Sequence, residues 1–137
     1  MRHVLTAALL LAAAPVAAQT METSSGDWSN IPEMRQQVGA AVDPDVVAAI
    51  AEMVDRRECT IAGQRRGNLD MSVPFLVQFK ADGSIDRIVI HAIGCGRAEG
   101  LLAGAALRLM QHGAFEPAGG PHEGWFRGEL SFAHSDG

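Results

Sequence analysis

The feature that most constrains the fold is a pair of apolar runs joined by a short turn in the middle of the chain. Residues 73–79 place an apolar side chain at every second position, which is the period of a strand with one buried face. Asp82 and Gly83 follow as a turn signal, and residues 85–90 form a second apolar run. The sequence therefore predicts a β-hairpin.

Helical patterns lie on both sides of this hairpin. Asp43 is a good N-cap and Pro44 suits the first helical position, and apolar residues then recur on one helical face up to about Cys59. We expect Arg56 and Arg57 in its last turn, where positive charge favours the helix dipole. A second helix is predicted over residues 98–112.

A third strand is predicted in the alternating run of residues 125–132. The expected fold class is α+β, with two helices on one face of a three-stranded antiparallel sheet in the order α-β-β-α-β. Strand directions then require the sheet order 2-1-3, with the third strand at an edge. Pro74 on the central strand lacks a ladder N–H, and we expect it to be tolerated near the start of that strand.

The amino terminus has the pattern of a secretory signal. Arg2 and His3 precede an apolar run that Pro15 ends, and Val16 and Ala18 supply the small residues a signal peptidase accepts. We predict a signal peptide over residues 1–18, a flexible leader over 19–42 and a folded domain over 43–134. The run is too short for a spanning helix, so no membrane insertion is expected after cleavage.

Two cysteines, Cys59 and Cys95, are the only thiols of the chain. An even pair in a small exported domain is more often a disulfide than a metal or redox site. Their separation of 36 positions also lacks the C-x-x-C spacing of such sites. We therefore predict a disulfide between them, formed outside the cytoplasm.

Composition argues against several functional classes. A formal net charge of −5 offers no positive field for phosphate backbones or anionic lipids, so we expect no nucleic-acid partner. The serines lack a G-x-S-x-G elbow, and no carboxylate pair is evident. GCGRAEG at residues 94–100 departs from the dinucleotide fingerprint in its spacing. We therefore expect that the protein is not an enzyme and needs no cofactor.

Residues 73–132 resemble the carboxy-terminal domain of TonB-family energy transducers. VPFLVQFKADGSIDRIVI matches the strand, "DG" turn and strand of that family, GCGRAEGLLAGAALRLMQHGAFEPA its helix with the following "F.Pa", and GWFRGELSF its last strand. Energy-transducing members have an uncleaved membrane anchor and a long Pro-rich spacer. The cleavable signal and short leader predicted here differ from both, so we expect no coupling to an inner-membrane motor.

The resemblance implies a TonB-like fold, a Gram-negative periplasmic location and partner binding by strand addition. It also implies a role in transport across the cell envelope. The last strand would pair its backbone with an extended segment of an envelope protein or outer-membrane receptor, or with a second copy in a homodimer. Trp125, Arg127 and Glu129 on its outward face are the candidate partner-binding residues.

Three alternatives remain open at this stage. The first is a stand-alone periplasmic structural or inhibitor module without a peptide ligand. A second is a histidine metal-binding protein, although the spacing favours surface histidines; the candidates are His91, His112, His122 and His134, with Glu116 and Glu123. Finally, Arg56, Arg57, Arg65 and Arg66 lie close in sequence and could form a basic patch for an anionic partner.

Overall fold

The computed structural model describes residues 20–120 and 122–137, so the predicted signal peptide lies outside the described residues. Six strands and two helices follow one another along this part of the chain. Their bounds are β1 Thr20–Ser24, β2 Met34–Gln36, α1 Pro44–Asp55, β3 Asn68–Phe79, β4 Ile85–His91, α2 Gly96–Gln111, β5 Phe115–Pro117 and β6 Gly124–Ser135.

The predicted three-stranded antiparallel sheet is wrong. The strands form a four-stranded sheet in the order β1-β4-β3-β6 and a separate two-stranded sheet of β2 and β5. β1 joins β4 in parallel, which makes the larger sheet mixed. Both β1 and β2 come from residues 19–42, whose polar composition gave no strand period. These short strands were missed because their pairing partners lie far away in sequence.

Both helices begin close to the predicted positions. The Asp43 carboxylate accepts the Asp45 N–H at 2.8 Å and Pro44 opens α1, as the capping pattern indicates. However, α1 ends at Asp55, so Arg56 and Arg57 lie beyond its last turn. α2 begins two residues earlier than predicted, directly after Cys95.

The larger sheet buries one face against the helices. Phe75, Val77, Ile88 and Ile90 lie on that face and are all inaccessible to solvent, together with Leu102 of α2. We call this the inner face of the sheet. Leu76 and Val89 pair with each other on the opposite, outer face, where they are buried but separate from the main core cluster.

Pro74 lies in the middle of β3 rather than near its start. The ladder between β3 and β4 begins at the pair of Phe75 with Ile90, one residue after Pro74, so Pro74 has no partner in β4. Because backbone N–H groups alternate in direction along a strand, the missing N–H of Pro74 falls on the β4 side, before the first pair. The ladder between β3 and β6 therefore continues past the proline.

Residues 25–33, which we call the strap, run from β1 at one edge of the sheet to β6 at the other. The Trp28 ring meets the His91 ring edge to face at a centroid distance of 5.1 Å, so the strap crosses the outer face over β4. It then passes around the edge of β6, and Met34 enters the core on the inner side. The strap thus joins the two faces of the sheet.

Candidate functional site

The exposed edge of β6 is the candidate site, and strand alternation decides which of its groups are available. The Arg127 N–H donates to Pro32 O at 2.8 Å, so it points away from β3. In an antiparallel ladder the residues two positions along point the same way, so the N–H groups of Glu129, Ser131 and Ala133 also face outward. These groups form the outer edge of the sheet.

The first part of this edge is covered by the strap. Arg127 forms a parallel bridge with Glu33, in addition to the bond from its N–H to Pro32. Its guanidinium Nη2 donates to Glu33 Oε1 at 2.7 Å, while its Nε is buried without a hydrogen-bond partner among the described residues. We call residues 124–128 of β6 the covered half.

The second part of the edge, residues 129–135, has no such cover among the described residues, and we call it the open half. Glu129, Ser131, Ala133 and Ser135 are all exposed. No backbone bond from another segment to these residues is found in the part of the chain that the structure describes, apart from the ladder with β3. The open half therefore presents unpaired backbone donors and acceptors.

Two concavities adjoin the open half. One of about 210 Å³ lies at its start, where Gly128 and Glu129 meet Met34 and Phe115. Another of about 250 Å³ lies further along, between Phe132 and the apolar residues around the start of α1, among them Val42 and Val47. An extended segment added to this edge would have room for side chains at both places.

The three predicted partner-binding residues have different surroundings. Trp125 is half-buried, with the Arg87 guanidinium 5.3 Å from its ring centroid, and Arg87 in turn pairs with Glu22 of β1. Arg127 is engaged by the strap. Glu129 is exposed at the start of the open half. The sequence did not reveal that internal contacts occupy the first two, because they depend on segments far away along the chain.

The strap holds its own turn at Asp27. The Ser29 hydroxyl and the Ser29 backbone N–H, 3.0 Å from Asp27 Oδ1, both donate to this carboxylate. They lower the pKa of Asp27 below its ordinary value of 3.8, and the nearby charge of Arg127 acts in the same direction. Asp82 in the hairpin turn has a lowered pKa for the same reason, through Ser84.

The four candidate histidines lie in separate places. His91 packs against Trp28, His112 lies 2.6 Å from Arg108 O, and His122 packs edge to face on Phe126. His134 is 3.4 Å from Asp136. Within residues 20–120 and 122–137, no group of three His, Cys, Asp or Glu side chains is arranged to hold a metal ion.

Cys59 and Cys95 form the predicted pair, with their Cα atoms 5.6 Å apart. A disulfide is compatible with a secreted or periplasmic protein. The buried carboxylate of Glu99, which the sequence did not single out, organises the loop before Cys95: Glu99 Oε1 accepts the N–H groups of Ile93 at 3.0 Å and Gly94 at 3.3 Å. The GCGRAEG segment therefore consists of a turn held by Glu99 and the first residues of α2.

The four arginines near the end of α1 converge only in part. Arg56 pairs with Glu52 one helical turn earlier. Arg57 and Arg66 line one concavity of about 260 Å³ beside Cys59, whereas Arg65 is not among its lining residues. Neither Arg57 nor Arg66 has a salt-bridge partner among the residues that the structure describes.

No helix in the described part of the chain is long and apolar enough to cross a membrane. Comparisons with protein-family models, with curated proteins and with solved structures find no significant match to the chain. The functional argument therefore depends on the geometry of β6 and its surroundings.

Proposed function

We propose that the chain is a periplasmic protein-binding module that takes an extended segment of an envelope protein as an added strand along the open half of β6. The carrying observation is a row of outward, unpaired backbone groups at Glu129, Ser131 and Ala133 on an exposed edge. Unpaired edges of this kind pair readily with another chain.

The surroundings of the edge support binding rather than mere exposure. Natural edges are usually blunted by prolines, by charged side chains such as lysine, or by bulges. Residues 129–135 contain no proline and no lysine, and Glu129 is the one Asp, Glu, Lys or Arg among them. The register between β3 and β6 is also continuous from Asn68 to Phe79, without a bulge. The open half is thus a regular template for a strand.

The two concavities indicate what the added strand should carry. In strand addition, main-chain bonds supply affinity and pockets for alternate side chains supply specificity. Val42, Val47 and Phe132 give the second concavity an apolar wall, so it favours an apolar side chain. The first concavity is lined by Glu33 and Glu129 as well as Arg127, so its net negative charge favours a basic residue there.

The resemblance of residues 73–132 to TonB carboxy-terminal domains favours the same kind of partner, an envelope protein or a receptor segment. A periplasmic location agrees with the amino-terminal signal pattern and with the pair Cys59–Cys95. The four histidines lie in separate places in the described part of the chain, so no contact among them supports the histidine alternative.

A matched pair of proline variants tests the proposal. Ser131 and Ser72 face each other across β6 and β3, and their hydroxyl oxygens are 2.8 Å apart. Ser131→Pro and Ser72→Pro both remove that hydrogen bond, and neither removes an N–H from the ladder between the two strands. Only Ser131→Pro removes an outward N–H from the open half.

The probe is a library of displayed ten-residue peptides, from which those that bind the oxidised protein of residues 19–137 are selected. Selected peptides should bind the Ser72→Pro variant as they bind the parent and lose at least tenfold affinity for Ser131→Pro. Equal binding to both folded variants would refute strand addition at this edge. Amide exchange of the complex should slow at Ser131 and Ala133.

A second copy of the chain is the other partner that the edge can accept. Antiparallel self-pairing centred on Ser131 would place Glu129 opposite Ala133 of the other copy, so no like charges would meet. Sedimentation of the parent and of Ser131→Pro distinguishes the two cases. A dimer that the proline variant loses assigns the edge to self-association, and a monomeric parent leaves it to the peptide.

A further inference from the structure

We propose that the concavity between Arg57 and Arg66 is a binding site for a carboxylate attached to a small apolar group. The two exposed arginines follow the end of α1 and lie in the loop before β3, and both line the same concavity beside Cys59. Neither has a salt-bridge partner among the described residues. This site is separate from β6 and independent of the function proposed for it.

The backbone at Arg57 is the first argument for a functional role. Its φ of 58° lies in the left-handed region, where glycine is favoured and a long side chain is uncommon. The position directly follows the cap of α1, which is the place where most helices of this kind end in glycine. Retaining arginine there costs stability, and sites that accept such strain are often functional.

The arginines are not needed to cap the helix. The carbonyl groups of Glu52, Met53 and Val54 already accept backbone N–H groups from the residues that follow α1. Arg56 also supplies a positive charge at this helix end, paired with Glu52. Arg57 and Arg66 are therefore available for a ligand.

The shape and lining of the site define the ligand. Planar guanidinium groups bind carboxylates through paired hydrogen bonds, and Thr60, which carries a hydroxyl donor, also lines the concavity. Val54 and Ile61 provide an apolar floor. A volume of about 260 Å³ lies below the usual range of cofactor pockets, so it suits one terminal residue or the end of an acyl chain.

Binding can be measured with small probes on the oxidised chain at low ionic strength. N-acetyl-leucine represents a peptide carboxy terminus and octanoate an acyl chain, while N-acetyl-leucinamide lacks the charge and inorganic phosphate lacks the apolar group. Methyl signals of Val54 and Ile61 report the titration. We expect saturable binding of a carboxylate probe, and the tighter of the two identifies the source.

Three variants decide the roles of the arginines. Arg57→Gly removes one guanidinium and relieves the backbone, so it should raise the melting temperature while weakening binding at least tenfold. Arg66→Gln should weaken binding equally without changing the melting temperature, and it carries the test alone if Arg57→Gly does not fold. Arg65→Gln, outside the concavity, is the matched control and should bind as the parent does.

Several results would overturn the proposal. They are the absence of saturable binding of both carboxylates, equal binding of the amide or of phosphate, and unchanged binding by Arg66→Gln. Loss of binding in Arg65→Gln to the same extent would show that only general positive charge is being measured.

Discussion

The two halves of β6 have the same strand geometry but opposite surroundings. Along the covered half, the strap takes the Arg127 N–H and pairs with its guanidinium, and Gly128 lies under the Phe75 ring. Along the open half, Glu129, Ser131 and Ala133 are exposed and pair with nothing on their outer side among the described residues. A strand edge is therefore available for binding only where the rest of the chain leaves it uncovered.

This contrast also changes how strand addition must be tested. Arg127→Pro is the obvious variant from the sequence, because the residue faces outward on the last strand. In the structure its N–H already donates to Pro32, so the substitution would release the strap as well as alter the edge. At Ser131 the outward N–H can be removed without releasing the strap, and Ser72→Pro controls for the hydroxyl bond that is lost with it.

Loss of the disulfide should have the largest effect on stability, and amide hydrogen exchange should then differ between the two halves of β6. Replacing Cys59 and Cys95 by alanine should lower the free energy of unfolding by about 3–4 kcal/mol on the chain-entropy estimate. The Leu130 N–H faces β3, and we expect its amide to exchange only through global unfolding. Because about 1.4 kcal/mol corresponds to a tenfold change in the unfolding equilibrium, this amide should then exchange roughly two to three orders of magnitude faster. The Arg127 amide, held only by the strap, should change far less. Equal acceleration at both amides would contradict a locally opening strap.

Gly128→Ala should destabilise the covered half by steric overlap. A Cβ at this position would lie 2.5 Å from the Phe75 ring and 3.1 Å from Met34 Cε. Phe75 cannot move freely because its ring packs edge to face on Phe115 at 5.1 Å. Urea unfolding should show a loss of about 1–3 kcal/mol, the usual cost of overpacking.

The matched control for this variant lies on the open half. Ala133→Val adds carbon atoms to an exposed outward residue of the same strand. Its stability should remain within about 0.5 kcal/mol of the parent, as for most surface changes. A comparable loss in both variants would mean that the two halves are packed alike.

Glu33→Gln should loosen the strap without changing its size. It removes the charge that pairs with Arg127, whose side chain is 29% exposed. Exposed and half-exposed pairs of this kind contribute up to about 1 kcal/mol, so the Arg127 amide should exchange up to about fivefold faster. Glu129→Gln makes the same change on the open half and should leave that amide unaffected. Equal acceleration by both variants would assign the effect to net charge.

The sequence predicted the elements that carry their own signal. The hairpin was visible in its period and its Asp82-Gly83 turn, and α1 in its cap at Asp43. The strands β1 and β2 lack such signals, since they exist through pairing with β4 and β5. The strap was equally hidden, because the contact of Trp28 with His91 depends on the fold of the whole sheet.

The candidate site was predictable in the same uneven way. The last strand could be placed at an edge from strand directions alone, and β6 is an edge of the larger sheet. Its division into a covered and an open half depends on Pro32 and Glu33, which have no pattern that links them to β6. Arg57 and Arg66 were grouped with two other arginines, and only the fold shows which two line the same concavity.

The smallest expected effect is a pH dependence of the strap. Hydrogen bonds from Ser29 lower the pKa of Asp27 below 3.8 in the folded chain. A carboxylate with a lowered pKa contributes stability that is complete above its unfolded value and is lost as pH falls through the folded value. The NMR signals of the Ser29 amide and the Trp28 indole should therefore shift together, with a midpoint below pH 3.8. Protection of the Arg127 amide against hydrogen exchange, corrected for intrinsic exchange rates, should decline over the same pH range.

Asp27→Asn should remove this transition, because the amide does not titrate. Asp82 provides the internal control, since Ser84 lowers its pKa in the same way but in the hairpin turn, away from the strap. Its titration should appear at Ser84 in both the parent and the variant. In the Asp27→Asn variant, the protection of the Arg127 amide could instead decrease over the same pH range as the Ser84 signal shifts. That result would mean that acid weakens the whole fold and that the turn at Asp27 does not stabilise the covered half.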